Sequence, residues 1–389
     1  MVEPTKYMLR MVYFYSRLLG VLNFDIDVTT GRARITRRAS IYAALANVVL
    51  FSFFILLSKS ELMETMWSKA DVLHEYLYLV IHVTRVSCVL VTLLSRWWQR
   101  QHLIKLINEL SRMAWRKPEV MTMWRRRVIM KCVSIFMSEV SQVVLTLVFF
   151  QNYMTIYLAI SIGLLYTLTA LVNVIISHIY FINLNVYCHY CLLNQEIRAV
   201  FAEAQSLEAE HSEAARMRRC CHLAEHLDGI ARTQSQLQNL LQSTARIFGI
   251  QSLCVAAILY SSVMATIYFS IVGYNGVNIS SSWNLTNVLQ FFETTVYFAD
   301  ILITMDNLYI ILDVHAEMLT LLQQFATLAP GLDERFEVVY ESFQLQLARN
   351  PLKLKLFYFY KMDRSTAVAM LSSIVTHSLV LVQYKLQNS

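Results

Sequence analysis

Charge, glycine and proline are all scarce in this chain. Of its 389 residues, 15% are Asp, Glu, Lys or Arg. Water-soluble domains carry roughly a quarter, so lipid is the main solvent for this one. Eight glycines and four prolines favour long uninterrupted helices over a β-barrel, whose many short alternating segments are missing. There is no Gly-rich phosphate loop, no Gly-x-Ser-x-Gly, no His-Glu-x-x-His and no paired-carboxylate motif, so no enzyme is expected. A cleavable signal is not expected either. The first 38 residues hold seven Lys or Arg and no long apolar core, and the first span must serve as the insertion signal.

What the chain has instead is apolar length, with 56% hydrophobic residues. A helix crossing the hydrocarbon core needs roughly 20 mostly apolar residues, and seven windows fit: Ala39–Leu57, Val72–Leu94, Ile129–Phe150, Met154–Ile182, Ile247–Val272, Val288–Leu312 and Thr366–Tyr384. The second carries His74, Glu75, His82 and Arg85 and cannot face lipid all round. The third and fourth are separated by Gln151, Asn152 and Tyr153 alone, which predicts an antiparallel hairpin.

The net charge of +6 lies between the apolar runs, not in one patch, and no nucleic-acid partner is expected. Cytoplasmic loops keep Lys and Arg. One alternate set of segments holds 27 of them and the other only Lys59, Lys69 and Lys385. The expectation is therefore an all-α polytopic membrane protein of seven spans, N-terminus inside and C-terminus outside, opposite to a G-protein-coupled receptor. The sequons at Asn278 and Asn284 fall in a loop that this places outside, where such sites are glycosylated. No cysteine falls in an outside loop, so extracellular disulfides are not expected.

Three parts follow: residues 1–38 as a cytoplasmic N-terminal segment, 39–335 as spans one to six with helical extensions and an outer-half pocket, and 336–389 as an anchor helix plus the seventh span. Leu223, Leu227, Ile230, Leu237, Leu240 and Leu241 recur at helical spacing, so spans four and five are read as continuing into the cytoplasm. The loop from Ser95 to Val128 and the segment from Phe336 to Asp363 read as similar helices, punctuated by Pro118 and Pro351. Together they suggest an assembly surface; polar helical loops are the plainer alternative.

Ionisable groups inside spans are costly and face a bundle interior, a cavity or an ion path. The outer halves of spans two to six carry Tyr78, His82, Arg85, Gln142, Tyr157, Tyr260, Tyr268, Phe292, Glu293, Tyr297 and Asp300. Aromatic groups with a few polar ones suit a pocket for a small, partly apolar ligand. The alternative is packing, with Arg85 paired to Glu293 or Asp300 and the tyrosines in an interfacial belt. Cys188, His189 and Cys191 with Cys220, Cys221, His222 and His226 have zinc-like residue types but no standard spacing, and no metal or other cofactor is expected. In the last span, Thr376 and Gln383 are seven apart with Val380 between them and Tyr384 adjoining, a stripe that suits a helix contact or a water-filled pore.

The C-terminal residues carry a resemblance. Thr376-His377-Ser378-Leu379-Val380-Leu381-Val382-Gln383-Tyr384 is similar to the signature of insect gustatory receptors, a family that also includes odorant receptors: Thr-Tyr, five mostly hydrophobic residues, Gln-Phe. His377 stands where Tyr is usual and Tyr384 where Phe is usual. Phe343 to Arg364 resembles the lead-in of the same receptors.

The resemblance implies a tetrameric, ligand-gated, nonselective cation channel of identical or related subunits in the plasma membrane of sensory neurons. In it the last helices line the pore, Gln383 and Tyr384 form the gate, and Thr376 and Val380 line the pore more deeply. Sugar-sensing members resemble the signature with an acid where this chain has Ser378, so the tastant is expected to be a bitter or aversive small molecule. An accessory subunit without its own ligand is the first alternative. A secondary transporter is the second, though no internal repeat or Gly/Pro-broken helix pair supports it.

Overall fold

The computed structural model describes residues 4–27, 30–57, 72–150, 155–207, 212–276, 285–326, 333–352, 355–356, 360–361 and 364–388. In chain order these form α1 (Pro4–Leu18), a two-residue hairpin of β1 (Asp25–Ile26) and β2 (Ala33–Arg34), α2 (Arg37–Leu57), α3 (Val72–Trp98), α4 (Arg100–Arg116), α5 (Glu119–Phe150), α6 (Ile156–Ser206), α7 (Glu213–Gly276), α8 (Leu285–Ala326), α9 (Glu334–Arg349), a second hairpin of β3 (Lys355–Leu356) and β4 (Tyr360–Lys361), and α10 (Arg364–Asn388). The architecture is all-α.

Among the described residues, six helices are long and apolar enough, by length and composition, to cross a membrane. The first apolar run forms a helix of 21 residues, α2, so each of the seven expected spans lies on its own helix. Several are far longer than a membrane requires. At 1.5 Å per residue the 64 residues of α7 reach about 96 Å, some three times the ~30 Å hydrocarbon core.

The surplus length of α6, α7 and α8 packs with α4 and α9 into a bundle beyond the apolar runs. Its apolar residues recur at three and four, as in Leu103, Leu106 and Leu110 on α4 and Phe336, Tyr340, Phe343 and Leu347 on α9, all buried in one core. Phe201 stacks on Phe325 with centroids 4.0 Å apart, and the Tyr340 hydroxyl donates to the Leu322 carbonyl. Asp333 caps α9 by accepting from the Arg335 amide at 3.0 Å, and Pro118 separates α4 from α5.

In the apolar zone the packing is looser. Phe136, Val140 and Leu147 on α5 and Ile41, Leu45 and Val48 on α2 are exposed. Such surface is costly in water and ordinary against lipid. α6 is the central helix of this zone, with half of its most apolar window buried.

Two segments were not foreseen. The helical expectation for Phe336 to Asp363 fails after Asn350, because Pro351 ends α9 and the chain turns into the β3–β4 hairpin. The alternation Leu352-Lys353-Leu354-Lys355-Leu356 has the period of a strand, not of a helix. At the other end, residues 4–18 form α1, whose Tyr7, Met11, Phe14 and Leu18 make an exposed stripe while Tyr15 and Ser16 turn toward α5 and α6. Gly20 ends this segment at φ +70°, with an added Cβ only 2.8 Å from Ala46 Cβ. Both the left-handed backbone and the close approach of α2 require glycine there.

Candidate functional site

A narrow cavity of about 40 Å³ lies between α3, α6, α7 and α8, lined by Arg85, Asn173, Ile258, Tyr297, Asp300 and Thr304 among others. Three of the eleven pocket candidates, Arg85, Tyr297 and Asp300, thus share one space. Glu293, one turn from Tyr297, lies in electrostatic reach of Arg85, as does Tyr297. Arg85 donates to the Ser262 hydroxyl at 3.1 Å.

Asp300 does not pair with Arg85. Its carboxylate accepts from Lys131 Nζ at 2.7 and 2.8 Å, and Lys131 also donates to Thr304 Oγ1 at 2.8 Å. Lys131 is fully buried and lies 5.5 Å from the centre of the Tyr180 ring. Arg127, one turn earlier on α5, pairs with Asp306 at 3.1 Å. Two ion pairs therefore fix α5 against α8, leaving the Arg85 guanidinium at the cavity wall with the Ser262 hydroxyl as its hydrogen-bond partner and Glu293 in electrostatic reach. The sequence did carry a signal for Lys131, since it is an ionisable residue inside the run Ile129–Phe150.

The remaining candidates disperse. Gln142 lines a second cavity of about 210 Å³ between α1, α5 and α6. Tyr260 bridges α7 to α10, with its hydroxyl 2.7 Å from His377 Nδ1 and 3.0 Å from Ser373 Oγ. Tyr268 is buried against Leu77, Ala265 and Val382. His82 is half-buried on α3 and Phe292 is exposed on α8. Tyr78 and Tyr157 sit on α3 and α6, with side chains outside the described set, and Asn278 and Asn284 lie outside the described residues.

On α10 the two faces differ. Ile374, Ser378 and Val382 are buried at spacings of four, and Ser378 Oγ donates to the carbonyls of Ile374 and Met264 at 2.8 and 3.3 Å, which sets this face on α7. At about 100° per residue, Thr376, Val380 and Gln383 lie within roughly 40° of the direction opposite Ser378, and Tyr384 within about 60°. All four are exposed. The predicted stripe is thus the side of α10 turned away from its own chain.

No group of three or more His, Cys, Asp or Glu that could hold a metal occurs among the described residues. Cys188 packs between α5 and α6, while Cys220 belongs to the core of the helical extensions.

The family model described as 7tm Chemosensory receptor matches residues 9–388. Gustatory receptor 59d of Drosophila melanogaster is 36% identical over the whole of both chains. Gustatory receptors 36b and 36a of the same fly are 31% and 30% identical, covering 100% and 98% of each chain. The structure of the insect olfactory receptor OR5 from Machilis hrabei in complex with eugenol superposes with a TM-score of 0.64 over 97% of this chain and 98% of that one, at 14% identity, so the likeness there is one of fold. With a receptor fold, several membrane-crossing helices and full-length relatives that are gustatory receptors, the chain belongs to the seven-transmembrane chemosensory receptor family and is not an enzyme.

Proposed function

We propose that this chain is a subunit of a ligand-gated, nonselective cation channel, assembled as a tetramer of identical or related subunits and opened by a bitter or aversive small molecule. The observation that carries the reading is the two-faced packing of α10, which buries Ile374, Ser378 and Val382 toward α7 and leaves Thr376, Val380, Gln383 and Tyr384 exposed on the other side. A helix with one face on its own subunit and a mixed polar and apolar stripe on the other suits the wall of a central pore. Val380 and its apolar neighbours would hold the closed pore by dewetting, with Gln383 and Tyr384 as the gate.

The ligand site proposed for each subunit is the space around Arg85, Glu293, Tyr297 and Asp300. Its cavity is far below the roughly 300–1,000 Å³ of ordinary ligand pockets, so ligand must spread α3 from α8. A ligand that binds the spread form better drives the equilibrium toward it, and four sites of modest preference sum to a large shift. The structural neighbour OR5, recorded with eugenol, supports a small-molecule site in a subunit of this fold. Ser378 faces two carbonyl acceptors, a setting hostile to the acid carried there by sugar-sensing members.

The test is whole-cell current at fixed voltage from cells expressing this chain alone, challenged with bitter compounds, sugars and amino acids. The expected result is a cation current evoked by a bitter compound and insensitive to G-protein blockade. A response abolished by that blockade would overturn the channel, and a response to sugars alone would overturn the ligand class.

A further inference from the structure

We infer that the cavity between α1, α5 and α6 is a second binding site, for a small protonated amine with an apolar body, and that Glu139 is its counter-ion. Glu139 lies midway along the apolar run 129–150, where a carboxylate is costly unless something compensates it. Its two oxygens accept one hydrogen bond each, from the Tyr15 hydroxyl at 3.1 Å and the Asn173 side-chain amide at 3.3 Å. Donors on both oxygens suit the ionised form, which only accepts.

Yet no cation pairs with it among the described residues. Lys131 and Arg127 on the same helix and Arg17 on α1 pair with other carboxylates: Lys131 with Asp300, Arg127 with Asp306 and Arg17 with Asp25. An intramembrane carboxylate supplied with two neutral donors and no counter-charge is the arrangement a cationic ligand would complete.

The surroundings define the ligand. Glu139 opens on a cavity of about 210 Å³ with the side chains of Tyr15 and Tyr166 on its walls, Gln142 one turn further along α5, and Leu19, Val143 and Ala170 supplying apolar surface. Tyrosine rings attract an ammonium through their faces. Among the described residues the Gln142 side-chain amide makes no hydrogen bond, only its backbone carbonyl accepting from Thr146 and Tyr166, so it can serve a ligand's polar group. The volume sits just below the range of drug-sized pockets, which sets the size at a single aromatic ring with a short amine arm. A lipid ammonium is excluded as the occupant by depth: ten residues of helix hold Glu139 about 15 Å from the end of its run, half of the ~30 Å core.

The probe is 2-phenylethylamine, protonated at neutral pH, beside its neutral counterpart 2-phenylethanol, each titrated by ligand-observed NMR into the full-length receptor in phosphatidylcholine nanodiscs. The amine is expected to bind saturably and at least tenfold more tightly than the alcohol. Glu139→Gln should weaken the amine tenfold or more and leave the alcohol unchanged, and Ala170→Phe should remove both. Tyr297→Phe, at the other cavity, should leave amine binding as it is, so the outcome is independent of the channel reading. Equal binding of amine and alcohol to the unmodified receptor would overturn the proposal without any variant. So would amine binding indifferent to Glu139→Gln, or lost in Tyr297→Phe.

Discussion

At the residue scale the balance of charge in the apolar zone rests on Lys131. Fully buried, it donates to both oxygens of Asp300 and to Thr304, so removing it strands a carboxylate. Lys131→Met is expected to cost about 3–5 kcal/mol, the usual penalty for breaking a buried pair from one side. Replacing both partners, as Lys131→Met with Asp300→Leu, should restore most of it. Thermal unfolding of detergent-purified receptor reads this directly, and a double variant as unstable as the single one would remove the pairing from the account. Arg85, Glu293 and Tyr297 carry a different expectation. Tyr297→Ala or Glu293→Gln should shift ligand sensitivity more than ion selectivity in dose-response and reversal-potential measurements, and the reverse pattern would put α8 in the pore. The sequence marks Arg85, Tyr297 and Asp300 as intramembrane polar residues, and these three line one cavity. Who pairs with whom is not legible in it. Asp300 sits in reach of Lys131 because of the relative register of α5 and α8, which no single-helix periodicity encodes.

At the scale of elements, the apolar runs and the helical repeat of Leu223 to Leu241 foretold the long helices, because both signals are local. The alternation of the β3–β4 hairpin is equally local, but a helical reading of the segment from Phe336 overruns it because the chain is helical as far as Arg349. α1 was missed for another reason: its partners lie far along the chain, as in the contact of Ser16 with His178 Nε2 at 3.0 Å. The junction of α1 with α2 gives a sharp test. Gly20→Ala puts a Cβ 2.8 Å from Ala46 Cβ on a left-handed backbone. Each fault alone costs about 1–2 kcal/mol, so a fall in unfolding temperature is expected, and an unchanged one would mean that α1 is not docked here. In the helical extensions, Gln346 donates to Gln234 Oε1 at 2.8 Å and to the Ala231 carbonyl at 3.1 Å, tying α9 to α7. Gln346→Leu takes that donor from Gln234 Oε1 and the second bond from the Ala231 carbonyl at a cost of about 1–3 kcal/mol, which should appear as faster proteolysis at α9.

At the scale of the molecule, the fold joins a densely packed helical assembly to a lipid-facing zone in which one helix, α10, buries Ile374, Ser378 and Val382 on one face and exposes the opposite one. The seven-helix plan followed from hydropathy, while the outward stripe of α10 was visible only as a spacing until the structure showed which side faces α7. Orientation belongs to this scale too. The Lys and Arg asymmetry predicts a C-terminal tag accessible on intact cells and an N-terminal tag accessible only after permeabilisation, and the opposite labelling would invert the topology. The measurement that bears most directly on the channel is evoked current in cells expressing Gln383→Cys or Ser378→Cys, before and after an impermeant thiol reagent applied from outside. The account predicts that modification changes the current through Gln383→Cys and leaves Ser378→Cys and the unmodified receptor unaffected. Current altered at Ser378→Cys and unchanged at Gln383→Cys would contradict it.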